Sequence, residues 1–105
     1  IGVNGHIGFN EPGTPFTLGT NVIELTQSTR EANKIYFNSI DEVPTHAITM
    51  GIRTIMQSKK VVLLISGASK QEAFDRLRSC EVTEDFPAIT LHNHNDVVVI
   101  YTDVK

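Results

Sequence analysis

The 105-residue sequence contains no tryptophan and a single cysteine, Cys80. One thiol forms no internal disulfide, so packing and hydrogen bonds must hold the fold. No Asn-x-Ser/Thr acceptor and no secretory-signal pattern occur, which makes the cytoplasm the expected compartment. Also missing is any apolar run near the roughly 18 residues that a membrane-spanning helix needs. Basic residues are not in excess: nine Lys and Arg stand against twelve Asp and Glu, for a net charge of −3. A dedicated nucleic-acid binder carries a basic stripe for phosphates, so that class is set aside. The chain opens without Met on Ile1-Gly2-Val3, which reads as the tail of a buried strand and as the start of an internal piece of a longer protein.

What is present is ordinary for one soluble domain: 40% hydrophobic and 20% charged residues, with no repeat and no low-complexity tract. Val22 to Leu25 reads as a short strand. Ser28 to Phe37 reads as a helix capped by Ser28 or Thr29 and favoured by Glu31, Ala32 and Lys34. Pro44 then interrupts the chain. Ile48, Ile52, Ile55 and Met56 fall on one helical face, although Thr45 to Thr49 also suits an extended segment. Lys60 to Ile65 is a continuous apolar run, the pattern of a strand buried on both faces of a parallel sheet. Ser69-x-x-Glu72 has the form of a capping box, and Ala73, Phe74, Leu77 and Cys80 line one face of the helix after it. Val97 to Thr102 reads as a last strand. Strands alternating with helices give an α/β fold, a mainly parallel sheet flanked by helices.

Chemistry concentrates in Asn4-Gly-His-Ile-Gly-Phe-Asn-Glu-Pro-Gly13. In an open parallel sheet, ligands sit beyond the carboxyl ends of strands, where this loop would emerge. Histidine is the side-chain type whose ordinary charge change falls near neutral pH, so His6 suits proton transfer. Asn4 and Glu11 are placed to fix its tautomer, while Gly5 and Gly8 permit sharp turns. A structural histidine in a Gly/Pro turn is the alternative. Ser66-Gly-Ala-Ser-Lys70 combines a strand-to-helix turn with a lysine, either an anion site or an ordinary helix start with a solvated side chain. His92-x-His94 lacks the companion ligands of a familiar metal site. His46 reads as structural, Arg30 as a ligand or surface partner, Asp75, Arg76 and Arg78 as a solvated face, and Cys80 as a buried small hydrophobe.

The stretch GVNGHIGFNEPG resembles the signature loop of glucosamine-6-phosphate deaminases, also called isomerases. The resemblance continues through LTQSTREAN, VPTHAITMGIRTIM, VVLLISGASK and FPAITLHNH, essentially the whole chain. It implies a Rossmann-like fold of deaminase/isomerase type, with residues 1–105 forming the carboxyl-terminal part of one such domain. It also implies conversion of glucosamine 6-phosphate and water to fructose 6-phosphate and ammonia, without metal or organic cofactor. His6 matches the histidine that helps open the sugar ring, and Glu11 the carboxylate that orients it. Asn4 stands where many members carry Asp, and Lys70 matches a phosphate-contacting lysine. Ile35 lies where many members have a second phosphate-contacting arginine. Asn21 and Ile23 replace the basic residues of allosterically controlled hexameric members, so activation of that type is not expected. The family's C2 proton base, an aspartate, and its Gly/Ser/Thr-rich phosphate loop have no match here.

The expected partner is therefore a small sugar phosphate, with no nucleic acid and no membrane, and with the oligomeric state open. The galactosamine-6-phosphate branch, sugar-lactone hydrolysis and a catalytically impaired sugar-phosphate-binding module are the alternatives.

Overall fold

A computed structural model describes residues 1–79 and 81–105. Its central unit is a parallel pair, β3 (Val61–Ser66) and β4 (Val97–Thr102), in register from Val61 opposite Val97 to Ser66 opposite Thr102. The chain between them holds the helix α3 (Gln71–Ser79) and a long 3-10 segment, Pro87–Asn93. Leu63 and Ile65 point from β3 onto Ala73, Phe74 and Leu77 of α3 and onto Phe86, Ile89 and Leu91. Phe86 is fully buried at the centre of this core, and its truncation to alanine would cost about 3–5 kcal/mol. The β-branched run of β4 and the apolar spacing of α3 thus build the α/β layer that the sequence predicts.

The other face of the pair departs from expectation. Val62 and Leu64 are 53% and 61% exposed, and Val98 and Ile100 are exposed beside them. Burial along β3 therefore alternates, because no described element packs on this second face, although both faces are equally apolar in sequence.

A separate antiparallel ribbon joins β1 (Asn21–Glu24) to β2 (His46–Thr49), with Val22 opposite Ile48. Of the segment 45–49, His46–Thr49 is thus extended rather than helical. The helix α2 (Ile52–Met56) starts only after Gly51. A Cβ on Gly51 would lie 2.1 Å from the Leu18 carbonyl oxygen, so only glycine lets the two segments cross there.

The helix expected over residues 28–37 is shorter and begins earlier. Here α1 spans Gln27–Asn33, and its cap is Thr26, whose hydroxyl accepts from the Thr29 N–H at 3.1 Å. Lys34–Tyr36 tightens into a 3-10 turn, and Phe37 is already extended. Thr26, Ser28 and Thr29 are all competent caps, so local sequence does not choose among them. The capping box assigned to Ser69 is also displaced: Ala68–Lys70 form a 3-10 turn after Gly67, which places Ser69 inside that turn and not at its cap.

Ile1-Gly2-Val3 forms no ladder, and Val3 is exposed. One hydrogen bond, from the Ile1 nitrogen to the Leu64 carbonyl at 3.2 Å, sets the segment beside the carboxyl-terminal half of β3. The loop that follows is tied to the core by Ala88 N–H donating to the Gly5 carbonyl and by Gly13 N–H donating to the Glu84 carbonyl. Gly5, at φ 86°, lies flat on Phe86, where a Cβ would come within 2.2 Å of the ring.

Candidate active site

Within the loop, the Gly2 N–H donates to the His6 carbonyl at 2.9 Å and the Gly5 N–H to the Gly2 carbonyl at 3.0 Å, folding residues 2–6 into a tight bend. The His6 ring then lies across Gly2. A Cβ at that position would fall 2.0 Å from the ring Cε1, so the missing side chain is what makes room for the imidazole. Beyond His6 the loop is clamped to the end of β2. The buried Thr49 hydroxyl accepts the Phe9 N–H at 3.1 Å. Asn10, 0% exposed, donates from Nδ2 to the carbonyls of Ile7 and Met50 at 2.9 and 2.8 Å. This clamp sets where Glu11 emerges.

Asn4, His6 and Glu11 come together as one hydrogen-bonded set. Asn4 Oδ1 accepts the His6 backbone N–H at 3.2 Å, which fixes the orientation of the amide. The same oxygen lies 2.8 Å from His6 Nδ1, so Nδ1 must carry the proton. Asn4 Nδ2 points the other way and donates to Glu11 Oε2 at 2.9 Å. Glu11 Oε2 is itself 3.7 Å from His6 Nδ1, within range to stabilise an imidazolium. The second carboxylate oxygen, Oε1, accepts the Thr29 hydroxyl at 3.0 Å. With Nδ1 committed, the neutral ring presents Nε2 as its basic nitrogen, and the ring is 35% exposed.

A cleft of about 550 Å³ opens here, walled by Asn4, His6, Phe9 and Glu11 on the loop side and by Thr26, Thr29, Ala32 and Asn33 of the α1 segment. A histidine with a fixed tautomer, a carboxylate behind it and open space in front is suited to donate and accept protons on a bound small molecule.

Lys70 is not part of this wall. Its ammonium donates to the Ile1 carbonyl at 2.7 Å, at the root of the loop and beyond the carboxyl end of β3. One hydrogen bond leaves two of the three ammonium hydrogens for other acceptors.

The remaining candidates have structural partners. Arg30 donates from Nη2 to the carbonyls of Ile40 and Val43 at 3.0 and 3.1 Å, stapling the segment before β2. His46 meets the neighbouring Thr45 hydroxyl. The two histidines of His92-x-His94 face different carbonyls. His92 Nε2 bonds the Leu77 carbonyl. His94 Nε2 donates to the Ser58 carbonyl at 2.7 Å while its Nδ1 accepts the Asp96 N–H. On the solvated face of α3, Arg78 pairs with Asp75 at 2.8 Å, and hydrogen bonds from Arg78 and Gln71 hold the Asp75 carboxyl below its usual range. Cys80 lies outside the described residues. Asn21 donates its amide to the Gly19 carbonyl, and Ile35 is exposed on its 3-10 turn.

Sequence reasoning missed Gly2, Asn10, Thr26 and Thr29 as parts of this site. The polar Asn10 between Phe9 and Glu11 was the available signal; Thr26 and Thr29 meet each other locally at the helix cap, whereas Thr29 meets Glu11 only through the fold.

Residues 19–100 match the family described as glucosamine-6-phosphate isomerases/6-phosphogluconolactonase. The chain is 58% identical over 101 residues to the glucosamine-6-phosphate deaminase of Lysinibacillus sphaericus, covering 96% of this chain and 43% of that protein. It is 60% identical over 100 residues to the glucosamine-6-phosphate deaminase of Shouchella clausii, covering 95% and 40%. For glucosamine-6-phosphate deaminase 1 of Bacillus subtilis, identity is 58% over 100 residues, covering 95% and 41%. A solved structure described as a monomeric glucosamine-6-phosphate deaminase superposes with a TM-score of 0.91 at 57% identity, covering 96% of this chain and 42% of that one. The chain thus spans about two fifths of the length of the relatives it matches. On the match over most of its length, this chain belongs to the family of glucosamine-6-phosphate isomerases and 6-phosphogluconolactonases.

Proposed function

We propose that the protein carrying this chain is a glucosamine-6-phosphate deaminase, converting glucosamine 6-phosphate and water to fructose 6-phosphate and ammonia in amino-sugar catabolism. The observation that carries the reading is the contact of Asn4 Oδ1 with His6 Nδ1, which keeps the proton on Nδ1 and leaves Nε2 as the basic nitrogen of a ring that lines the cleft. Opening a cyclic amino sugar requires a proton delivered to the ring oxygen and another taken from the hydroxyl on C1. A neutral imidazole with one N–H and one basic nitrogen can serve both transfers in turn. The relatives' names point to the same substrate.

The later proton transfer at C2 belongs, in this reading, to a carboxylate in the part of the relatives' length that residues 1–105 do not match. Lys70 is assigned to the substrate phosphate, with its bond to the Ile1 carbonyl holding the ammonium in place. No organic cofactor or metal enters the scheme, and the partner is a sugar phosphate rather than nucleic acid. No described helix is long and apolar enough to cross a membrane, and the reaction is assigned to the cytoplasm.

Assay of the intact protein for ammonia and fructose 6-phosphate tests the proposal. Turnover of glucosamine 6-phosphate well above that of the galactosamine epimer is the expected result. Hydrolysis of 6-phosphogluconolactone without ammonia release would assign the protein to the family's other activity.

A further inference from the structure

We propose that Thr29 is a positioning residue for the candidate catalytic histidine, acting through Glu11. The inference rests on the deaminase reading above and extends it from the loop to the α1 helix.

The direction of each proton along this path follows from the geometry. The Thr29 backbone N–H donates to Thr26 Oγ1 at 3.1 Å, so that oxygen is an acceptor toward the helix. Thr26 Oγ1 in turn lies 3.0 Å from Thr29 Oγ1 and donates its own hydrogen there. The Thr29 hydroxyl hydrogen is thereby directed away from Thr26 and toward Glu11 Oε1, 3.0 Å away. An ionised carboxylate only accepts, and its other oxygen already takes the Asn4 amide at 2.9 Å. The result is a one-way series: Thr26 donates to Thr29, Thr29 and Asn4 donate to the two oxygens of Glu11, and His6 Nδ1 donates to Asn4.

Glu11 lies just before Pro12 and Gly13; one of its oxygens is held by Asn4 of the same loop and the other by Thr29 of α1. If the Thr29 donor is lost, the carboxylate gains a rotational freedom that Asn4 alone cannot remove. The Asn4 amide then loses one of the two bonds that orient it, the other being the His6 backbone N–H on Oδ1, and the constraint that keeps His6 in one tautomer weakens. A charge-assisted hydrogen bond is among the stronger kinds, so its removal should be visible in catalysis.

The test uses the intact protein with Thr29→Val, which keeps the shape of the side chain, and Thr29→Ser, which keeps the hydroxyl. Thr29→Val is expected to lower kcat about tenfold with KM within about twofold, and Thr29→Ser to restore most of the loss. Nitrogen-15 NMR of the His6 ring should show Nδ1 protonated in the parent and in Thr29→Ser, and a mixture of tautomers in Thr29→Val. Full kcat and an unchanged tautomer in Thr29→Val would overturn the proposal. Equal losses in the valine and serine variants would also overturn it, by assigning the effect to packing. If the parent releases no ammonia from glucosamine 6-phosphate, the functional reading falls, and the NMR comparison still decides whether Thr29 positions the ring.

Discussion

His6 Nδ1 lies 2.8 Å from Asn4 Oδ1, and the same oxygen accepts the His6 backbone N–H. An amide here does what an aspartate would do for the tautomer, because its oxygen is the atom turned to the ring. It differs in charge: the negative group is one step further back, at Glu11, 3.7 Å from Nδ1. The arrangement ties a loop of eight residues, a helix cap and a buried strand end into one hydrogen-bonded unit.

Replacing Asn4 by leucine removes both links at once. His6 Nδ1 and Glu11 Oε2 are then left without the partner that joins them. We expect kcat of the intact protein to fall by roughly 10- to 100-fold, with a smaller change in KM. Steady-state kinetics on glucosamine 6-phosphate would measure the split, and an unchanged kcat would show that the tautomer does not matter.

Gly2→Ala tests the floor under the ring. Its Cβ would sit 2.0–2.5 Å from three atoms of the imidazole, so the ring must leave its place. The account predicts a kcat as low as that of a variant lacking the imidazole, with only a modest drop in melting temperature because the clash is with a half-exposed side chain. A kcat near that of the parent would show that a displaced ring works equally well.

The isolated 105-residue chain should be inactive and sticky. The exposed strip of Val62, Leu64, Val98 and Ile100 is a contiguous apolar face of a parallel sheet, which such sheets normally bury. A hydrophobic dye should bind the isolated chain strongly and the intact protein weakly, and the isolated chain should release no ammonia. Equal dye binding by both would mean that this face stays open in the whole protein.

Asp75 provides a pH prediction. Hydrogen bonds from Arg78 and Gln71 favour its ionised form, so its folded-state pKa is depressed. The stabilisation is therefore present above the ordinary carboxylate value, near 3.9, and is lost as pH falls through the depressed one. Asp75→Asn should lower the melting temperature slightly at pH 7 and hardly at all at the acid end. The pair is fully solvated, so the difference should be small. A larger effect in acid than at neutral pH would reverse the sign of this argument.

How much of this was legible in the sequence depended on the distance over which each feature is decided. Val97–Thr102 and the Ala73, Phe74, Leu77 face of α3 follow from runs and spacings within one element, and both were read directly. Asn4, His6 and Glu11 lie within eight residues of one another, and their meeting was anticipated from the glycines between them. The β1–β2 ribbon was only half seen, because its partners lie more than twenty residues apart and Ile48 happens to fall in helical register with Ile52. The placement of the α1 cap at Thr26 was missed for a related reason. Thr29 looks like an equally good cap until Glu11, eighteen residues earlier, claims its hydroxyl. The roles of Gly2 and Asn10 also depend on the closed loop, where a ring and two distant carbonyls meet them.

The most direct test of the central claim compares the intact protein with its His6→Gln variant in ammonia release from glucosamine 6-phosphate. The account predicts a loss of about 10²–10⁴ in kcat with KM little changed, since the imidazole carries protons and is not the main binding group. A variant that retains turnover within a few-fold of the parent would contradict it.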